Sequence, residues 1–224
     1  MTFNKTSLNM LQRIFQWTLP GVLAAMVGVA GAQPAPAEML VKGFRGAQFG
    51  MTADEVRAVI ARDFKPEKDA VTETDNPAEG TRVIVLRVPQ LDPGPGAANV
   101  SYILGAKTRK LMHVNVVWTT GETPSEAQRN EITAAGVLLN NYFRKQGWKP
   151  GKSTGGLPEG PNGVALFIGL DSKNAAIELH MSGVELRDAK GQPGPKPEGP
   201  AQLKISYIAN VAKPDVNSVK PGSF

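Results

Sequence analysis

The chain has 224 residues, a formal net charge of +5, 6% aromatic residues and no cysteine. That length suits one domain, at most two, with enough chain to bury a real core. The mild, scattered charge without aromatic platforms leaves no case for nucleic acid, and the missing cysteine excludes disulfides, thiolate catalysis, cysteine-held zinc, iron–sulfur clusters and a lipid-modified cysteine anchor.

In chain order, Lys5 and Arg13 flank an apolar run over 14–29 that closes on Ala30-Gly31-Ala32. A basic flank, an apolar core and a small-x-small exit predict a secretory signal peptide over 1–32. The alternative, an uncleaved membrane anchor, fits the apolar length but not the small-residue exit. Residues 33–42, opening with Gln33-Pro34-Ala35-Pro36-Ala37, read as an extended linker. The expected location is therefore periplasmic or secreted after cleavage, where ATP is not at hand, and the membrane is met only through the leader.

An α+β domain is expected over 43–212. A short extended segment ends at Gly50, and a helix starts at once. Thr52 and Glu55 have capping-box spacing, Asp54 and Glu55 sit at the positive end of the helix dipole, and Val56, Val59, Ile60 and Phe64 form an apolar stripe. Residues 65–80 are polar with two prolines and read as a loop. Strands are expected at 81–88, at 100–104 and, after a basic turn over 105–110, at 111–118. Strict alternation there puts Met112, Val114, Val116 and Trp118 on one side, with Leu111, His113, Asn115 and Val117 on the other.

A second helix of about 22 residues is expected from a Thr123 cap, with Pro124 at the first helical position and Glu126 closing the capping box. Its stripe is Ile132, Ala135, Leu139 and Phe143, broadened by Leu138 and Tyr142. Further strands are expected at 164–170, 175–183 and 203–208, separated by loops over 150–162 and 187–200. From 213 onward the polar, proline-bearing chain reads as a disordered tail over 213–224. Six strands in hairpins with alternating sides imply an antiparallel sheet covered on one face by two helices, a two-layer sandwich. Helix then three strands, twice over, suggests two αβββ repeats.

The segment Phe49-Gly50-Met51-Thr52-Ala53-Asp54-Glu55-Val56 resembles the Gly-Met-Thr/Ser-x-x-(Asp/Glu)-Val opening of SmpA/OmlA-like envelope domains and of domains like the β-lactamase inhibitor protein. The lipid anchor of the SmpA/OmlA type has no cysteine to sit on here. Overall the chain is similar to a group of uncharacterised proteobacterial exported (periplasmic) proteins. The resemblance implies a non-catalytic, protein-binding role in the cell envelope.

Candidate chemistry is sparse. Gly147-Trp148-Lys149-Pro150-Gly151-Lys152-Ser153 has three residues between its glycines where a phosphate loop needs four, and lacks the strand–loop–helix context. No Gly-x-Ser-x-Gly elbow is present. Trp118 and Trp148 read as core edges rather than sugar platforms. The two histidines, His113 and His180, fall on the outward side of their strands, with Asn115 and Glu178 two residues away on the same side and Lys204 outward on the last strand. These five residues are the candidate binding set. The first reading is a non-enzymatic domain that binds another envelope component through its open sheet face or its loops, with no cofactor. The alternative is a small periplasmic hydrolase or metal-binding protein using His113 and His180, which requires the two to be adjacent across the sheet. A small-ligand binder, with an apolar pocket between helices and sheet, is a third.

Overall fold

The first structured turn forms as its residues dictate. In the computed structural model, which describes residues 38–187 and 190–217, strands β1 (Gly43–Phe44) and β2 (Ala47–Gln48) make a tight hairpin, and helix α1 (Ala53–Phe64) follows. Thr52 Oγ1 accepts from the Glu55 N–H at 3.4 Å, while Glu55 Oε2 accepts from the Thr52 N–H at 2.7 Å. Two of the helix's free donors are satisfied reciprocally. Val56, Val59 and Ile60 are buried, and Lys65 ends the helix in the left-handed region at φ 46°. The expected leader over 1–32 lies outside the described residues.

Strands β3 (Val71–Asn76), β4 (Thr81–Val88), β5 (Ala98–Leu104) and β6 (Leu111–Thr119) follow. Helix α2 (Glu126–Arg144) has 19 residues. Then come β7 (Ser153–Thr154), β8 (Leu157–Pro158), β9 (Gly163–Leu170), β10 (Ala176–Ser182) and β11 (Gln202–Ile208). Strands β3 to β11 form one antiparallel sheet of nine, in the order β3-β4-β5-β6-β11-β10-β9-β7, with β8 also paired to β9. The fold is α+β with a large antiparallel sheet and two helices, as expected. The count of six is corrected to nine, because β3, β7 and β8 lie inside stretches whose polar, Pro/Gly-rich composition reads as loop.

Helix α2 corrects two further expectations. Its cap is Ser125, whose Oγ accepts from the Gln128 N–H at 3.3 Å while Gln128 Oε1 accepts from the Ser125 N–H at 2.9 Å. Thr123 and Pro124 thus precede the helix, where the proline's missing donor costs nothing. Ile132, Ala135, Gly136, Leu139 and Phe143 are buried, but Leu138 and Tyr142 stay 57% and 58% exposed and do not broaden the stripe. Gly136 marks a close approach, since a Cβ there would meet Leu166 at 2.9 Å and Met181 at 3.0 Å. Helix α2 touches β9, β10 and β11, and α1 touches β2 and β4.

The core gathers alternate strand residues with the helix stripes, among them Tyr102, Val114, Val116, Leu179, Leu203 and Ile205. Rings stitch the pieces together. Phe143 stacks on Phe167 at 5.7 Å, and Phe44 of the hairpin reaches Tyr207 at 5.4 Å and Phe64 at 6.5 Å. Trp118 is buried, and its indole N–H donates to Leu91 O at 2.9 Å. Trp148 donates to Phe143 O at 2.8 Å. Both indoles are structural.

Strict alternation fails at one place on β6. Ile103 pairs with His113 but Leu104 pairs with Leu111, so Met112 is an extra residue in a β-bulge. Leu111 is therefore turned into the core and Met112 joins His113 in lining a pocket, the reverse of the expected order.

Both ends of the described chain are tied down. Within the expected linker, the Met39 N–H donates to Gly147 O at 2.8 Å and the Val41 N–H to Asp171 Oδ2 at 3.0 Å. Within the expected tail, residues 213–217 are hydrogen-bonded to neighbouring turns through Asp215 and Asn217. Residues 218–224 lie outside the described residues.

Candidate functional site

Strands β6, β11 and β10 are consecutive in the sheet, so their cross-strand register places the candidate residues directly. One row holds Val117, Lys204 and His180. The next holds Asn115, Ser206 and Glu178, and the third His113, Ile208 and Ala176. All five candidates alternate with the core residues Val114, Val116, Leu179 and Ile205, so they share one side of the sheet, the histidine face. The structure brings Asn115, Glu178, His180 and Lys204 into neighbouring rows. Around them on the same side stand half-buried Val83, Val85, Ile103, Val117, Ile168 and Leu170.

The two histidines do not meet. β11 lies between their strands, and their rows are four residues apart. Two inter-strand spacings and four residue rises put their Cα atoms roughly 16 Å from one another. Side chains standing parallel on one face cannot close that gap around a single ion or a shared proton. Among the described residues, no group of three or more His, Asp or Glu is arranged to hold a metal ion.

Each histidine has its own surroundings. His180 Nδ1 lies 2.9 Å from both carboxylate oxygens of Glu159, and Nε2 lies 3.3 Å from Glu178 Oε2. An imidazole gripped by carboxylates at both nitrogens favours the doubly protonated form. The hydrogen bond to Glu178, followed by that to Glu159, raises its pKa against the opposing effect of burial. Glu178 is correspondingly lowered, first through its bond to His180. Lys204, between β10 and β6, adds a positive charge beside them and acts against protonation of both histidines. His113 is the opposite case. Burial lowers its pKa, and its Nε2 is enclosed with no hydrogen-bond partner among the described residues. Next to it, Asn115 Oδ1 accepts from Ser206 Oγ at 2.8 Å.

Several participants carry no sequence signal. Glu159 sits in the Gly/Pro segment before β9, and only the folded turn brings it to His180. A pocket of about 600 Å³ lies at the His113 end of the face, between the sheet and residues 209–216, and Met112, Ile103 and Ile208 contribute to it. A larger cleft of about 850 Å³ opens where the end of α1 meets β4, lined by Phe64, Leu86 and Val88 but also by Lys65, Glu67 and Arg87. No helix among the described residues is long and apolar enough to cross a membrane. Compared with protein-family models, with curated proteins and with solved structures, the chain finds no match in any of the three.

Proposed function

We propose that the chain is an exported, non-enzymatic domain of the bacterial cell envelope that binds another envelope protein through the histidine face. In this reading α1 and α2 cover the opposite face, giving a two-layer sandwich, and the two halves are αβββ units whose last strands, β6 and β11, pair at the middle. The strand order, which runs β4-β5-β6 and then β11-β10-β9, supports that symmetry. The observation that carries the functional reading is the register of β6, β11 and β10. It sets Asn115, Glu178, His180 and Lys204 in adjacent rows, flanked by half-buried aliphatic side chains. A polar centre with apolar surroundings suits a surface that is covered on binding rather than one that turns a substrate over. The separation of His113 from His180 removes the constellation on which the hydrolase or metal-binding alternative depended.

Two measurements test the reading. Expression of the full chain in a two-membrane bacterium should give a periplasmic product whose N-terminal residue is Gln33; cytoplasmic retention would refute the export part. Affinity capture from envelope extract should then yield a protein that is held by the wild type and by Leu138→Lys on α2, and lost with Val117→Arg or Lys204→Glu. Retention by both face variants would refute the docking surface.

A further inference from the structure

After β11 the chain does not leave the sheet. The Ala209 N–H donates to Met112 O at 2.8 Å and the Val211 N–H to Asn174 O at 3.0 Å. Asp215 accepts from the Lys107 N–H at 3.0 Å, from the Thr108 N–H at 2.9 Å and from Thr108 Oγ1 at 2.6 Å. The Asn217 N–H then donates to Glu79 O at 2.8 Å. Residues 209–217 therefore form a strap fastened to the turns β9–β10, β5–β6 and β3–β4. The 600 Å³ pocket lies between this strap and the histidine face, within the size range of small-molecule sites.

Its lining is mostly apolar, with Ile103, Met112 and Ile208 from the sheet and Ala209, Pro214 and Val216 from the strap. Most of its polar groups are already engaged. Asp215 is spent on three donors, Asn210 Oδ1 accepts from the Ala212 and Lys213 N–H groups at 3.0 Å each, and Asn115 Oδ1 accepts from Ser206. Of the lining residues, His113 is the one with a buried side-chain nitrogen, Nε2, that has no partner among the described residues. Charge is balanced as well. Burial lowers the pKa of His113, and the two acids of the lining, Glu79 and Asp215, are offset by Lys213 in the lining and by Lys107 beside Asp215. No surplus of either sign remains to select an ion.

We propose that this pocket binds an uncharged amphipathic small molecule, an apolar body carrying one hydroxyl or carbonyl, with the polar end on His113 and the body against Ile103, Met112, Ile208 and Val216. The larger cleft beside α1 is a weaker candidate, because charged side chains of both signs line it and no orphaned polar group points to a ligand. The pocket is separable from the docking reading: it lies at the His113 end of the face, and of the docking residues Asn115, Glu178, His180 and Lys204 only Asn115 lines it. Either can fail with the other intact.

The test is equilibrium binding of the neutral fluorophore N-phenyl-1-naphthylamine to the full chain. Saturable fluorescence enhancement is expected, with 1-decanol displacing the probe at tenfold or more lower concentration than decanoate or decylammonium. Ile103→Trp should fill the pocket and weaken binding at least tenfold. Should that strand variant fail to fold, Val216→Trp on the strap places the same bulk from outside the sheet. His113→Phe should leave probe binding within twofold but weaken displacement by decanol about tenfold. Leu138→Lys, on the exposed stripe of α2, should change nothing. The proposal is overturned by absence of saturable binding, by loss of binding in Leu138→Lys with retention in Val216→Trp, or by decanoate or decylammonium competing as well as decanol.

Discussion

His113 and His180 show how far the surroundings of a side chain govern its chemistry. Both read as outward-facing polar residues on strands. Their shared face follows from alternation, but the partner of His180 on the Glu159 side and the enclosure of His113 depend on a turn and a strap that no local pattern announces. In a proton NMR titration, the His180 midpoint should lie above the ordinary 6.5 and that of His113 below it. The consequences for stability have opposite signs. With its folded pKa raised, His180 contributes stability that is fully present below about pH 6.5 and is lost as pH rises through the folded value. With its folded pKa lowered, His113 contributes stability present above about pH 6.5 and lost as pH falls through the folded value. Coincident midpoints would contradict the cluster geometry. Asp171 makes a similar residue-scale case. It is buried, and its carboxylate accepts from the N–H groups of Val41, Lys173 and Ala175 at 3.0, 2.7 and 2.9 Å. Asp171→Ala leaves these donors without a partner and should cost about 3 kcal/mol in urea unfolding. Asp171→Asn, which keeps an acceptor oxygen, should cost less.

At the scale of elements, legibility follows from whether a signal is local. Thr52 and Glu55 are three residues apart in one turn, so the start of α1 can be read directly. The start of α2 is expected from Thr123 with Glu126, but Ser125 with Gln128, two residues on, has the same spacing. The helix uses the second. Ser125→Ala should therefore cost about 1 kcal/mol and Thr123→Ala close to nothing. Equal losses would place the cap elsewhere. β3 was missed because Val71-Thr72-Glu73-Thr74-Asp75-Asn76 sits largely exposed, and lacks the apolar side of a covered strand. The Met112 bulge was missed because it shifts pairing by one residue without changing composition, which is enough to exchange the sides of Leu111 and Met112. Gly94 illustrates a constraint visible only in three dimensions. A Cβ there would lie 2.1 Å from the Trp118 indole nitrogen, and the ring is pinned by its bond to Leu91. Gly94→Ala should lower the melting temperature by several degrees, as expected for a clash of about 1–3 kcal/mol.

For the whole molecule, the pairing of β6 with β11 joins two halves distant in sequence, and the Ser206–Asn115 hydrogen bond spans 91 residues. Strands β9 and β10 reach the rest of the sheet only through β11. A chain ending after residue 201 should lose cooperative unfolding altogether rather than merely soften, which circular dichroism melting would show. Closing contacts so far apart in sequence also predicts folding on the slow side for a domain of this size.

The rims of the sheet have a consequence of their own. On one side, β3 presents Glu73 and Asp75, held by Arg57 and Arg82. On the other, β7 and β8 are two residues each and are broken by Gly155 and Gly156. A foreign strand seeking to extend this sheet meets charge at one border and an interrupted ladder at the other. Growth into fibrils by strand addition is discouraged at both borders, and whatever associates with this molecule has reason to approach it broadside.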